Sequence, residues 1–281
     1  MPRAAEQEET TSAFAGFRWG RFVLWLAVGA VGMISVLLAW RQIEEFLIKD
    51  DRFRIPEATQ ATGRSPHLTF EGVRYASPAK INDVFAEDYG RSLYLAPVQV
   101  RRHQLLAIDW VEEATVSKIW PNSLRVVVHE RTPVAFIRLQ KQHDGVSEYA
   151  LIDRDGYVLH PHTKSMFTLP VIAGLQEAGP IADRRTRVRR VLAMLDTIGR
   201  LSENISEIDA TDLNDLVVAE HIDGGVVNLM LGDENYLERL KNFLANYAEI
   251  KTKRPETKML DLRVDGIITA VGGGDRARDG G

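Results

Sequence analysis

From position 22 to position 40 the chain reads FVLWLAVGAVGMISVLLAW, a run of nineteen residues without a charge, closed by Arg21 and Arg41. Such a run has no polar face, so a soluble fold could hold it only by surrounding it on every side. As a helix it is about 28 Å long at 1.5 Å per residue, close to the ~30 Å hydrocarbon core of a bilayer. Trp19, Trp25 and Trp40 are the ring type that favours the membrane interface, with Trp25 a little deeper. Gly29 and Gly32 are tolerated in a spanning helix, and their spacing is not that of the G-x-x-x-G dimer motif. A cleaved signal peptide has a shorter apolar region, of ~7–15 residues, ending in small residues before the cut. Ala39-Trp40-Arg41 is a poor cleavage site. The run therefore reads as a single uncleaved anchor.

Arg18 and Arg21 precede the anchor, and Arg41, Lys49, Arg52 and Arg54 follow it. A large translocated segment escapes the positive-inside rule. The two arginines beside the span therefore predict a type II arrangement: a cytoplasmic tail at 1–21, the span at 22–40, and the bulk outside the cytoplasmic membrane. The 281 residues leave room for one large domain or two ordinary ones beyond it. A net charge of -4 gives no basic excess for nucleic acid, and the absence of cysteine excludes disulfides, thiolate metal sites and cysteine nucleophiles.

Residues 41–66 read as a helix extension followed by a linker, RIPEATQATGRSP. From His67 the pattern changes. Leu68, Phe70 and Val73 lie near strand spacing, Ser77-Pro78 is a helix start, and Pro97 opens a second helix. Strands follow at 111–120 and 124–129, joined by Pro121-Asn122. The order is β-α-α-β-β over 67–133. Residues 134–272 read as β-rich with two helices, near 182–199 and 235–250, and the fold class is α+β. Short strands are expected at 135–139 and 149–153, with Asp155-Gly156 as a hairpin signal, then near 205–209, 215–220, 226–231, 259–263 and 267–271. The polar end at 273–281 reads as a disordered tail.

The β-α-α-β-β order matches a POTRA domain, and WVEEATVSKIWPNSLRVVVHERTPVAF resembles the version found in the bacterial FtsQ/DivIB cell-division family. Trp120-Pro121 fills the family's aromatic-proline turn, and Glu130-x-x-Pro133-x-Ala135 its junction to the next domain. Further along, Asp153-x-x-Gly156, Leu169-Pro170, Gly232-Asp233 leading to Arg239-Leu240, and Asp261-Leu262-Arg263 follow the family's order. The polar insert at 140–147 and the glycine run directly after Val271 depart from that pattern.

The resemblance implies a non-enzymatic scaffold of the division complex, without cofactors, concentrated at the septum. It implies partners among other single-pass division proteins of the FtsB/FtsL kind, met by strand addition at the last strands. On this chain those positions are Arg263, Val264, Ile267, Ile268, Thr269 and Ala270. A second expected recruitment surface is the POTRA-like module, especially 73–80.

Catalytic and metal readings are weaker. His160 and His162, with His129 and His143 upstream, lack a third ligand at recognisable spacing. Asp153-Arg154-Asp155-Gly156 lacks the acidic twelfth residue of a calcium loop. Glu112 and Glu113 are adjacent, so on a strand they face opposite ways. Arg184, Arg185, Arg187, Arg189 and Arg190 read as the solvated face of an amphipathic helix, with an acidic partner or anionic glycan as the functional alternative. An outer-membrane translocation protein would need a barrel of ~10-residue strands. A membrane-anchored sensor or cell-wall hydrolase would need a nucleophile or carboxylate in a cleft.

Overall fold

The computed structural model describes residues 19–57, 65–139, 148–160 and 166–271. The N-terminal tail before residue 19, the 140–147 insert, His143, His162 and the glycine-rich end after Val271 lie outside the described residues. The fold is mixed α+β. Helix α1 (Trp19–Lys49) contains the apolar run and is the one helix among the described residues long and apolar enough to cross a membrane. Its apolar residues from 22 to 40 are exposed along their whole length, so the helix is not a core element.

α1 ends at Asp50, whose carboxylate accepts from Arg52 N and starts a single 3-10 turn, Asp51–Phe53. The stretch read as a linker then begins inside the next module. Arg54 bridges to Ser92, Ile55 N donates to Arg91 O at 2.9 Å, and Ile55 is buried. That module contains β1 (Leu68–Glu71), α2 (Pro78–Asp83), α3 (Val98–Leu106), β2 (Val111–Ile119) and β3 (Ser123–Glu130). Its sheet runs β1-β3-β2, with β1 parallel and β2 antiparallel to β3. Ser77 caps α2 with Pro78 in the first turn. The buried Arg101 of α3 grips buried Asp88 through Nε at 2.7 Å, tying the helix to the turn before it.

The second module supplies β4 (Pro133–Leu139), β5 (Glu148–Asp153), β6 (Val158–Leu159), β7 (Val171–Ala173), α4 (Ile181–Ile198), β8 (Ile205–Asp209), β9 (Leu216–Ile222), β10 (Gly225–Gly232), α5 (Tyr236–Lys253), β11 (Met259–Asp261) and β12 (Thr269–Ala270). They form one mixed sheet in the order β12-β11-β10-β9-β8-β7-β4-β5-β6. α4 and α5 bury Val188, Val191, Met194, Leu240 and Phe243 in the core that the sheet shares with them.

Strand alternation divides β5 between two cores. Ala150 and Ile152 face the helices, while Leu151 joins Trp110, Val111 and Leu159 in the core of the first module. The two modules thus meet through packed apolar side chains, reinforced by Arg131 NH1 to Asp153 at 2.9 Å.

Candidate partner-binding edge

An open sheet has two edges, and each is a row of unpaired backbone groups unless something covers it. The β6 edge is closed at its end by the first module. Trp110 Nε1 donates to His160 O at 2.8 Å, and His160 N donates to Asp109 Oδ2 at 3.0 Å. The β12 edge has no strand beyond it among the described residues.

The register fixes which groups β12 offers. Val271 N donates to Met259 O at 3.0 Å, while Leu260 lies opposite Ala270 and Asp261 opposite Thr269. In an antiparallel pair the bonded and non-bonded positions alternate. Thr269 and Val271 therefore direct their main-chain groups to β11, whereas Ile268 and Ala270 direct theirs outward. Side chains alternate across the sheet: Ile268 and Ala270 pack on the core, and Ile267, Thr269 and Val271 are exposed.

A turn brings the chain to this edge. Ile267 N donates to Val264 O, and Gly266 has φ +77°, where a side chain would be strained. Asp265 in that turn is held twice, by Arg239 Nε at 2.8 Å and Asn235 Nδ2 at 2.9 Å. Arg239 is buried on α5 and also donates to Leu231 O at 2.7 Å. Gly232 makes room for this arrangement, since a Cβ there would stand 3.0 Å from the Arg239 guanidinium. Arg263 bonds Asp261 at 2.9 and 2.6 Å and Asp215 at 3.0 Å. The Arg263 hydrogen bond is the main cause holding the Asp261 carboxyl below its usual range.

The six expected residues thus fall into three groups. Ile268, Thr269 and Ala270 form the edge, Val264 and Ile267 are exposed at the turn, and Arg263 is already engaged by two carboxylates. The strands expected at 259–263 and 267–271 are both shorter, Met259–Asp261 and Thr269–Ala270, because the Val264–Ile267 hydrogen bond and Gly266 turn the chain between them. The sequence marks Arg239 and Arg263 only as members of the Gly232-Asp233 to Arg239-Leu240 and Asp261-Leu262-Arg263 motifs, and nothing in it points to Asn235, Asp265 or Asp215. A groove beside the edge is lined by Asn242, Asn246, Ile250, Lys253 and Ile268.

Other residues singled out in the sequence have structural partners. The α4 arginines lie on a part-exposed helix face, but each also has a structural partner. Arg184 donates to Gly156 O and Glu177 O, Arg185 to Asp155 O, Arg187 to Thr211 O, Arg189 to the Asp155 carboxylate, and Arg190 to Asp233 O. The run is a clamp on the loops around α4. His160 lies between Asp109 and Glu177, at 3.2 and 3.0 Å. Asp153 accepts from Asp155 N and Tyr157 N, which makes the hairpin turn. Glu130 accepts from Arg74 N, Tyr75 N and Ala76 N, a role for the junction glutamate that its sequence spacing does not reveal. Among the described residues no group of three or more His, Cys, Asp or Glu could hold a metal ion.

Comparison with known proteins follows the same division. The model described as POTRA domain, FtsQ-type, matches residues 65–131, and that described as cell division protein FtsQ/DivIB, C-terminal, matches residues 142–263. The chain is 28% identical over 247 residues to the cell division protein FtsQ of Koribacter versatilis, covering 85% of this chain and 67% of that one. It is 25% identical over 259 residues to that of Shewanella oneidensis, covering 90% of this chain and 87% of the other. It is 31% identical over 158 residues to that of Allochromatium vinosum, covering 56% of each. The chain therefore spans about two thirds of the length of the Koribacter relative.

Proposed function

The chain belongs to the FtsQ/DivIB family of cell-division proteins, a non-enzymatic family, and from that membership we propose that it is a bitopic scaffold of the division complex. It sits in the cytoplasmic membrane with its N-terminus inside. Its two folded modules, 67–133 and 134–272, lie outside the cytoplasm and the protein concentrates at the septum. There it links early and late division proteins through extracytoplasmic contacts. The partner is another single-pass division protein of the FtsB/FtsL kind, which adds a strand to β12.

The observation that carries this reading is the open edge itself. Ile268 and Ala270 point unpaired main-chain groups outward, and Val264, Ile267 and Thr269 lie exposed beside them. Backbone pairing supplies affinity in such an arrangement, and the exposed side chains supply selectivity. Arg263 serves the edge by holding Asp261 and Asp215 together beneath the turn.

The test is the position of an N-terminally tagged full-length chain in dividing cells of its host. A band at the constriction, with loss of partner retention in Ile268→Glu, is expected. A uniform envelope signal throughout constriction contradicts the scaffold reading.

A further inference from the structure

Where α1 leaves its apolar run, the structure gathers apolar side chains that neither core buries. The helix continues from Trp40 to Lys49, and its last turns are bonded directly to the first module. Ser92 Oγ donates to Leu47 O at 2.6 Å, Arg54 bridges to Ser92, and Ile55 is buried in that module's core. These bonds reach back into the helix, so the module's position relative to the anchor is fixed without a free spacer. Phe46, Phe53 and Trp120 form an edge-to-face chain with centroid separations of 5.6 and 5.7 Å. Phe46, Leu95, Ile119 and Trp120 are each about half exposed, with Ile119 and Trp120 at the tip of the β2–β3 hairpin.

Helix geometry gives the height of this patch. Phe46 lies about 9 Å beyond Trp40 along the axis at 1.5 Å per residue. The polar layer of one leaflet is roughly 5–8 Å deep, from the ~30 Å hydrocarbon core and the ~40–45 Å full thickness. Helical side chains lean toward the N-terminus, so Phe46 leans back toward the bilayer. Along residues 41–54 the charges cancel. Arg41, Lys49, Arg52 and Arg54 stand against Glu44, Glu45, Asp50 and Asp51, and Lys49–Glu45, Arg52–Asp50 and Arg54–Asp51 are paired. A half-exposed aromatic patch at headgroup height, beside a helix end whose charges balance, has the chemistry of the interfacial aromatic belt.

We propose that Phe46, Phe53, Leu95, Ile119 and Trp120 dock on the headgroup layer of the leaflet from which α1 emerges, and so hold the first module against the membrane. The proposal rests on the reading of α1 as a spanning helix. The docking is aromatic and apolar rather than electrostatic, so it does not require anionic lipid.

The cysteine-free sequence allows single-site labelling. Full-length Ile119→Cys carrying a bimane label is placed in phosphatidylcholine nanodiscs containing nitroxide on either the headgroup or the acyl chain. Leu37→Cys reports the span, and Val226→Cys, exposed on β10, reports solvent. The label at 119 is expected to lose about half its fluorescence to headgroup nitroxide, as suits an interfacial residue. Leu37→Cys is quenched by acyl-chain nitroxide, and Val226→Cys by neither. Trp120→Ser weakens the quenching at 119, and added phosphatidylglycerol leaves it unchanged. If the label at 119 behaves like that at 226 while Leu37→Cys is quenched, the docking is overturned and the span stands. If Leu37→Cys is also unquenched, the spanning premise fails. Quenching at 119 that appears only with phosphatidylglycerol overturns the apolar mode.

Discussion

Replacing Arg239 by methionine removes a guanidinium while keeping much of its buried stem. The bond from its NH1 to Leu231 O, 2.7 Å long and shielded from water, is a charged-donor hydrogen bond of about 1.5–3 kcal/mol. The bond to Asp265 counts for less, about 1 kcal/mol or below, because Asp265 is 60% exposed and screened by solvent. Relief of the buried charge offsets part of the loss, which leaves roughly 2–3 kcal/mol. For a folded region of this size that lowers Tm by about 4–12 °C. The assay is a thermal melt of the detergent-solubilised full-length chain, with hydrogen exchange at the Val271 amide as a local readout. Val271 N bonds Met259 O only while the turn holds β12 in place, so its protection falls in the variant. Arg239→Lys keeps one donor but not the fork, and falls between. A Tm change within about 1 °C, with Val271 protection intact, would refute the claim that Arg239 and Asp265 hold the edge.

Burial raises the Glu220 carboxyl above its ordinary value, more than the Asn204 hydrogen bond lowers it, and its Oε2 has no partner among the described residues. Such a group binds more protons folded than unfolded, so it costs stability as pH rises through the raised value. Glu220→Gln is expected to raise Tm near neutral pH and not below about pH 4, whereas an equal shift at both would contradict the burial argument. Gly156→Ala places a Cβ 2.7 Å from Arg185 N at φ +83°, and should lower stability by at least about 2 kcal/mol in urea unfolding. Glu130→Ala leaves the N–H groups of Arg74, Tyr75 and Ala76 without their shared acceptor, a loss of about 3 kcal/mol in the same assay, with Glu130→Gln recovering part of it.

The elements that local chemistry specifies were legible in the sequence. The uncharged run announces α1, Ser77-Pro78 starts α2, and Asp155-Gly156 turns β5 into β6. Alternation and β-branching locate β3, β9 and β10 to within a residue or two. What was hidden depends on contacts distant in the chain. Ile55 sits in a Pro- and Gly-marked stretch and reads as linker, yet it is buried by residues around Gly90 and Arg91. The α4 arginines read as a charged helix face because the carbonyls they bind come from four separate loops. At the edge, the motif positions carried Arg239 and Arg263, but the carboxylates they grip lie up to 48 residues away. Ion-pair partners at that separation leave no periodic trace in a sequence.

The central claim is that the outward main-chain groups of Ile268 and Ala270 receive a partner strand. It is tested most directly by placing a photo-crosslinking amino acid at Thr269 in the full-length chain and irradiating dividing cells, with and without Ala270→Pro. Proline removes the outward N–H while leaving the Val271–Met259 bond to β11 in place. The account predicts a crosslink from Thr269 to another single-pass division protein that disappears with Ala270→Pro, while the variant keeps the parent's Tm. A crosslink of undiminished yield in Ala270→Pro, or none at Thr269 while a probe at Tyr157 beside β6 captures the partner, would contradict it.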